Sequence, residues 1–319
     1  MEKKSIPIRI GISACVMGEK VRFDGQHKRD RYVMDVLGQY FSFIPVCPEV
    51  EVGMGVPRES VRLVGTPEDA RMIAGKSGKD WTDKMKRFIT KRLRQLEDYK
   101  MSGYILKKDS PSCGMERVKV YTDKGMPSKQ GRGFWGGGLV DHFPLLPVEE
   151  EGRMNDHKLR ENFIVRVFAY NRLLNLFDGR FSRNEVVEFH TAHKYLLMAH
   201  SPKHYKQLGQ LAAAVKKFKP SEFRDRYSSL FMECLKTKAS VKKNVNVLQH
   251  IMGYLKDHIG GAEKGDILDV IENYRGNLLP LVVPLTLINH YIKKYNIEYI
   301  SNQHYISPHP KELMLRNHV

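Results

Sequence analysis

The sequence predicts two domains of different class: an α/β domain built on a mostly parallel sheet over residues 1–150, then an all-α domain over residues 157–319. Three observations predict it. Short β-branched runs alternate with helix-period segments up to about residue 148, the alternation that builds parallel sheets. Beyond residue 157 the strand signals disappear and apolar positions recur only at helical spacing. A chain of 319 residues also exceeds what one hydrophobic core usually organises.

Each element can be justified in turn. Residues 7–13, PIRIGIS, alternate and are β-branched, so they read as a strand running into Ala14–Cys15. Residues 30–40 set Tyr32, Val33, Val36, Leu37 and Tyr40 at helical spacing and read as a helix. Phe41–Val46 is a short buried strand that ends at Cys47, and 53–65 is glycine-rich and loop-like, with a small strand at Val61–Val64. Asp80 is the expected N-cap of a long amphipathic helix from about Trp81 to Lys100, whose apolar positions are Met85, Phe88, Ile89 and Leu96. Ser102–Leu106 is a third strand and runs straight into KKDSPSCG. The segment GRGFWGGGLVDHFPLLPV then suggests a loop, a short helix and a last strand near Leu146–Val148, and the acidic EEEGRMND (149–156) reads as a linker. After it, residues 157–176, 183–200, 203–218, 221–234, 240–259, 263–274 and 281–295 all favour helix. The first domain is thus Rossmann-like and the second wholly helical, with no internal repeat.

Composition narrows the class. Hydrophobic residues make up 41% and charged residues 28%, ordinary for a globular protein. No apolar run reaches the roughly 18 residues of a membrane-spanning helix, and the start, MEKKSIPIRIGISAC, lacks the apolar core and cleavage site of a signal peptide. A cytoplasmic protein without a membrane partner is the expectation. Four cysteines are too few and too scattered for a disulfide framework; in a reducing compartment they serve as buried hydrophobes, metal ligands or nucleophiles. Lys and Arg outnumber Asp and Glu by 53 to 36, giving a net charge of +17. The excess runs through both halves, with 27 basic against 20 acidic residues in 1–150 and 26 against 16 beyond. Such a field attracts RNA, DNA or other polyanions, although a basic protein without such a partner would have the same composition.

Three cysteines share one structural address. Cys15 follows the first strand, Cys47 the second, and Cys113 the third by a short loop. In an open parallel sheet ligands bind outside the carboxyl ends of the strands, so residues far apart in sequence meet there. Three thiolates suit zinc or a 4Fe-4S cluster with one iron left open, and three small buried residues at strand ends remain the bland alternative. The first half offers only His27 and His142 to close a zinc site, whereas an open iron suits soft sulfur. Pro48–Glu49 and Ser110-Pro111-Ser112 add polar groups beside the thiols that core packing does not ask for.

The segments ISACVMGEKVRFDG, VCPEVEVGMGVPRE, GKDWT and KKDSPSCG, in that order over roughly residues 6–148, resemble the thiouracil desulfidase (TudS-like) family. The resemblance implies a 4Fe-4S cluster on Cys15, Cys47 and Cys113, with one iron not bound by protein that takes the sulfur of a thiolated pyrimidine base or nucleoside. It implies non-redox hydrolysis of the carbon–sulfur bond. Such chemistry needs an acid/base and donors to hold the ring, for which Glu49, Ser110 and Ser112 are the candidates. Glu49 has a structural alternative in capping a helix or pairing with Arg58. Asp24, in RFDG, either orients a ligand or makes the turn before Gly25. The segment VKVYTDKGMPSKQGRGFWGGG is longer than the compact glycine-rich stretch of stand-alone members, and is expected to line or reshape the substrate pocket.

In the second half KYLLMAHSPKHYKQLGQL, NVNVLQHIMGYLKDHI, IENYRGNLLPLVVPLTLINHYI and QHYISPHPKELMLRN resemble a YbgA-like domain of unknown function, over about 157–319. Eleven of the thirteen histidines lie here, and the pairs His190/His193 and His200/His204 have helical spacings that place two imidazoles on one face. A metal site or, with no carboxylate to complete it, core-edge histidines would both give this pattern. Lys194, Tyr195, Lys203, Tyr205 and Lys206, with Lys242 and Lys243, interleave cations and rings as nucleic-acid surfaces do, and as solvated helix faces also do. Cys234, in FMECLK, reads as a buried thiol, and NLLPLVVPLTLI as a proline-punctuated core helix. Two functions compete: a cluster-dependent desulfidase whose helical domain recruits substrate, and a nucleic-acid-binding protein whose cluster is structural or redox-sensing. A zinc-stabilised module is the third.

Overall fold

A computed structural model describes residues 6–122 and 126–318, which divide into two compact units, Met1–Leu159 and Arg160–Val319. The basic start and three residues of the long glycine-rich segment (123–125) lie outside the described residues.

The first unit is α/β. Its chain order is β1 (Arg9–Ser13), α1 (Ala14–Met17), β2 (Ser42–Val46), α2 (Pro48–Glu51), β3 (Val61–Gly65), β4 (Ala70–Ala74), α3 (Thr82–Glu97), β5 (Gly103–Leu106), β6 (Val118–Tyr121), β7 (Pro127–Gly131), α4 (Phe134–His142) and β8 (Val148–Glu150). Four of these strands form a wholly parallel sheet in the order β2-β1-β5-β8. Its middle strands are near-continuous buried runs, as a sheet covered on both faces requires. The chain leaves β1 for β2 on one side and later returns to β5 on the other. The carboxyl ends of β1 and β5 therefore flank a topological switch point.

A second sheet, β4-β3-β6-β7, has antiparallel outer pairs and a parallel β3–β6 pair. Only β3 was legible beforehand. Strand β4 is ARMIA, whose composition favours helix, and β7 is the polar, mostly exposed edge PSKQG with Pro127 at its start. Here packing overrides propensity. Three other expectations are corrected. The helix over 30–40 is a π-turn at Tyr32–Val36 followed by a 3-10 turn at Leu37–Gln39; β-branched valines and Gly38 disfavour regular helix, although Val33 and Leu37 are still buried. Asp80 acts one step earlier than expected: Trp81 is the cap residue, and Asp80 Oδ1 accepts the Thr82 N–H at 2.8 Å. The supposed linker at 149–156 opens inside β8. Glu149 and Glu150 are buried there because each carboxylate is satisfied, Glu149 by Arg153 and Glu150 by the Met115 N–H at 2.8 Å.

The second unit is helical: α5 (His157–Leu176), α6 (Arg183–His200), α7 (Pro202–Ala213), α8 (Pro220–Lys236), α9 (Val241–Met252), α10 (Gly261–Arg275), α11 (Val282–Lys294) and the short α12 (Glu298–Ser301). Serines start three of them. Ser182 forms a capping box with Glu185, and the Ser201 and Ser240 hydroxyls accept the N–H groups of His204 and Lys243. Helices α7 and α9 stop short of 218 and 259, the first continuing as a 3-10 turn at Val215–Lys217. An aromatic core of Phe163, Tyr195, Phe223, Tyr227 and Phe231 is sealed, with rings of Tyr227 and Phe231 stacked 6.1 Å apart.

Candidate active site

A cavity of about 320 Å³ opens at the carboxyl ends of the parallel strands, and Cys15, Cys47 and Cys113 all line it. Each is placed by a different local device. Cys15 lies in the single turn α1 directly after β1, and its carbonyl accepts the Gly18 and Lys28 N–H groups. Cys47 occupies the N-cap of α2, its sulfur 3.8 Å from the Val21 carbonyl and 3.6 Å from Glu49 Oε2. Cys113 sits in a turn after β5 that Asp109 initiates with φ 59°, a left-handed conformation that aspartate tolerates. The Ser110 hydroxyl oxygen then accepts the backbone N–H groups of Ser112 and Cys113, at 3.2 and 3.1 Å.

Helix α4 moulds this turn from behind. The N–H groups of Trp135 and Gly133 donate to the Ser112 and Gly114 carbonyls, both at 2.8 Å. A Cβ on Gly133 would stand 2.4 Å from the Ser112 carbonyl oxygen, and one on Gly136 2.5 Å from that of Cys113, so only glycine admits the contact. Trp135 is fully buried and its indole N–H donates to the Tyr104 hydroxyl at 3.0 Å. The glycines of the long segment thus support the third cysteine, and none of the described residues of 118–138 lines the cavity. Of the two roles expected of this segment, lining the pocket is not met by its described residues, because β6 and β7 are drawn into the second sheet.

The electrostatics follow from burial. Burial and the nearby Glu49 carboxylate push the Cys15 thiol up to about 11 and Cys47 to about 12, and drive Cys113 well above the ordinary thiol value. As free thiols all three are protonated at neutral pH, so binding iron as thiolates would release their protons. Glu49 lines the cavity, with Arg58 Nη2 3.9 Å from its carboxylate; Arg58 Nη1 is anchored on the Val21 and Gly55 carbonyls at 2.8 and 3.1 Å.

Ser110 lines the cavity, but Ser112 does not. The Ser112 hydroxyl is fully buried behind the turn with no hydrogen-bond partner, so its expected contact with substrate is corrected. Asp24 is likewise not on the cavity wall. It is exposed and makes the turn, accepting the Gln26 N–H at 3.0 Å and pairing with Arg22 at 3.3 Å. Sequence reasoning missed Lys107, although it stands inside KKDSPSCG. Lys107 lines the cavity; its ammonium pairs with Glu151 and donates to the Lys108 carbonyl at 3.1 Å, while its backbone N–H donates to Ser13 Oγ at 3.0 Å. Its partner Glu151 came from the stretch read as linker.

The histidine pairs of the second unit do not converge. His190 Nδ1 bonds the Tyr227 hydroxyl at 3.1 Å, and His193 Nδ1 donates to the Phe189 carbonyl at 2.7 Å. His200 Nδ1 donates to the Thr237 carbonyl at 2.7 Å, whereas His204 Nδ1 bonds the Ser201 hydroxyl at 2.9 Å. Cys234 is buried, its thiol donating to the Leu197 carbonyl at 3.5 Å.

Among the described residues no three His, Cys, Asp or Glu side chains gather as ligands of a single metal ion. A cluster makes a different demand, since each of its irons takes its own cysteine. Three thiols around one cavity, with the Val50 backbone N–H beside Cys47 and Lys107 beside Cys15, fit that demand.

Comparison with known proteins finds a separate family match in each half of the chain. Residues 10–151 match the family model for 2-thiouracil desulfurase, and residues 194–310 match a protein family of unknown function, DUF1722. The uncharacterized protein YbgA of Escherichia coli (strain K12) is 28% identical over 165 residues, 51% of this chain and 98% of its own. The uncharacterized protein YbbK of Bacillus subtilis (strain 168) is 31% identical over 108 residues, 32% of this chain and 71% of its own. A solved structure titled as a [4Fe-4S]-dependent thiouracil desulfidase, TudS, is 26% identical with a TM-score of 0.37, covering 47% of this chain and 94% of that one.

Proposed function

From the premise that the chain belongs, through residues 10–151, to the 2-thiouracil desulfurase family, we propose that it hydrolyses the carbon–sulfur bond of a thiolated pyrimidine, free or within RNA. The observation that carries this reading is the convergence of Cys15, Cys47 and Cys113 on one cavity from three strand ends. Those thiolates would hold a 4Fe-4S cluster whose iron without a protein ligand supplies a Lewis acid with affinity for soft sulfur. The remaining work falls to side chains. Glu49 takes the proton of the water that adds to the thiocarbonyl carbon and returns it as sulfur leaves as sulfide. Arg58, pinned on two carbonyls, aims that carboxylate. Ser110 spends its lone pairs on two backbone N–H groups, which leaves its hydroxyl proton to donate to a ring oxygen or nitrogen. Lys107 adds a fixed positive charge beside Cys15 that offsets the charge of thiolate ligands.

The helical unit supports a recruiting role. Tyr254 and Tyr299, 40% and 39% exposed, stack at 5.3 Å, and Lys194 Nζ donates to the Tyr299 hydroxyl at 3.5 Å. Ring faces beside a cation suit a base next to its phosphate. Four free cysteines suit a reducing cytoplasm, and among the described residues no helix is long and apolar enough to cross a membrane.

Anaerobic purification with iron and sulfide quantification, then a sulfide-release assay on 2-thiouracil and on thiolated tRNA, tests the reading. About four irons per chain with sulfide released is the expected result. Zinc in place of iron would overturn it. A loaded cluster with no release from any thiolated base would favour a nucleic-acid-binding protein with a structural or redox-sensing cluster.

A further inference from the structure

We infer that Phe23 is the platform on which a planar heteroaromatic ring stacks at the mouth of the cavity, so that the site selects flat thiocarbonyl rings over acyclic ones. The inference rests on the desulfidase reading of this cavity and adds to it the residue that holds the substrate ring. A lone exposed phenylalanine on a surface carries no meaning by itself. Phe23 differs in its setting. Among the described residues it is the one aromatic side chain lining the cavity, and it is 44% exposed.

One face of its ring is taken by the Arg22 guanidinium, 5.3 Å from the centroid. The loop that carries it is closed on itself. The Gly25 N–H donates to the Arg22 carbonyl at 3.0 Å, the Arg22 N–H to the Gln26 carbonyl at 3.2 Å, and Asp24 ties Arg22 from the side. The Phe23 carbonyl accepts the Arg58 N–H at 2.9 Å, so the backbone that carries the ring is tied to that of the residue that aims Glu49. Val21, Val46, Val61 and Pro111 make the adjoining wall apolar. A pyrimidine thione presents polar edges and apolar faces, and this cavity combines thiols and charged groups with one exposed aromatic ring. An acyclic thiocarbonyl of the same sulfur chemistry gains nothing from that ring.

The test compares wild type, Phe23→Ala and Phe23→Tyr as cluster-loaded full-length proteins with iron content measured in each. Equilibrium binding of uracil is read by calorimetry, and KM and kcat are read for 2-thiouracil and for thiourea. Phe23→Ala should weaken uracil binding and raise KM for 2-thiouracil by about tenfold or more, with iron content, kcat and the thiourea KM within about twofold of wild type. Phe23→Tyr should restore the wild-type values. Equal uracil affinity in wild type and Phe23→Ala, or no uracil binding by wild type, would overturn the inference. Uracil binding that depends on Phe23 in a protein that releases no sulfide would leave Phe23 standing as a base-stacking face and would sink the desulfidase reading, and with it the selection among thiocarbonyls.

Discussion

The two units set the same raw material to opposite ends. In the first, residues 32 and 66 positions apart, Cys15 with Cys47 and Cys47 with Cys113, meet on one cavity because three parallel strands end there. In the second, His190 and His193 are three positions apart on one helix, yet their Nδ1 atoms reach a tyrosine hydroxyl and a backbone carbonyl respectively. Burial drives His193 well below the ordinary imidazole value and holds His190, His200, His304 and His309 at about 4. These imidazoles are neutral packing groups. Strand-end topology gathers chemistry across long sequence distances, whereas helical spacing alone leaves each ring to find its own partner.

Experiments can break that contrast, beginning with the largest effect. Cys113→Ala should abolish both cluster loading and sulfide release, whereas Cys234→Ala should leave iron content unchanged, both read by iron analysis. Equal iron in the two variants would erase the distinction between site and core cysteines. Glu49→Gln should lower kcat by about 10²–10⁴-fold while iron content stays at the wild-type level. A loss of iron with it would mean that Glu49 serves the ligands and not the reaction.

Trp135→Ala should destabilise the first unit by about 3–5 kcal/mol in denaturant titration, since it removes a sealed side chain that backs the Cys113 turn. The helical unit should respond to acid. The folded His200 value of about 4 lies below its ordinary 6.5, so the unfolded chain binds the proton first. Its contribution is therefore complete above pH 6.5 and is lost as pH falls toward 4, by about 3 kcal/mol. In His200→Gln the stability of the full chain should fall less steeply over that interval, and an unchanged slope would refute the burial argument. Asp24→Asn should have the smallest effect, a change in KM below about fivefold, as an exposed turn pair warrants. A larger change would return Asp24 to the substrate site.

Much of this was legible in the chain. The strands ending at Cys15 and Cys47, the strand before KKDSPSCG, the amphipathic helix through Met85 and Ile89, and the all-helical second half each follow from a local period of two or 3.6. The second sheet was not legible. ARMIA and PSKQG carry no strand pattern and become strands only because β3 and β6 offer them unpaired edges. At the site the sequence singled out the cysteines, Glu49 and Ser110, but gave Ser112 and Ser110 equal standing. The turn decides between them: Ser110 lines the cavity and caps two N–H groups, while the Ser112 hydroxyl is sealed away from it.

Residue type and periodicity were enough to place the strands of the parallel sheet and most of the helices, the thiols at strand ends, and Cys234 in a helical core. Only the tertiary structure decided that Glu151, from an apparent linker, pairs with Lys107, that Ser13 receives its backbone N–H from 94 residues away, and that the glycines before His142 cradle Cys113. The physical reason is range. Backbone propensity and side-chain period act over a few residues, whereas a carboxylate or hydroxyl finds its partner only once packing has excluded water from both.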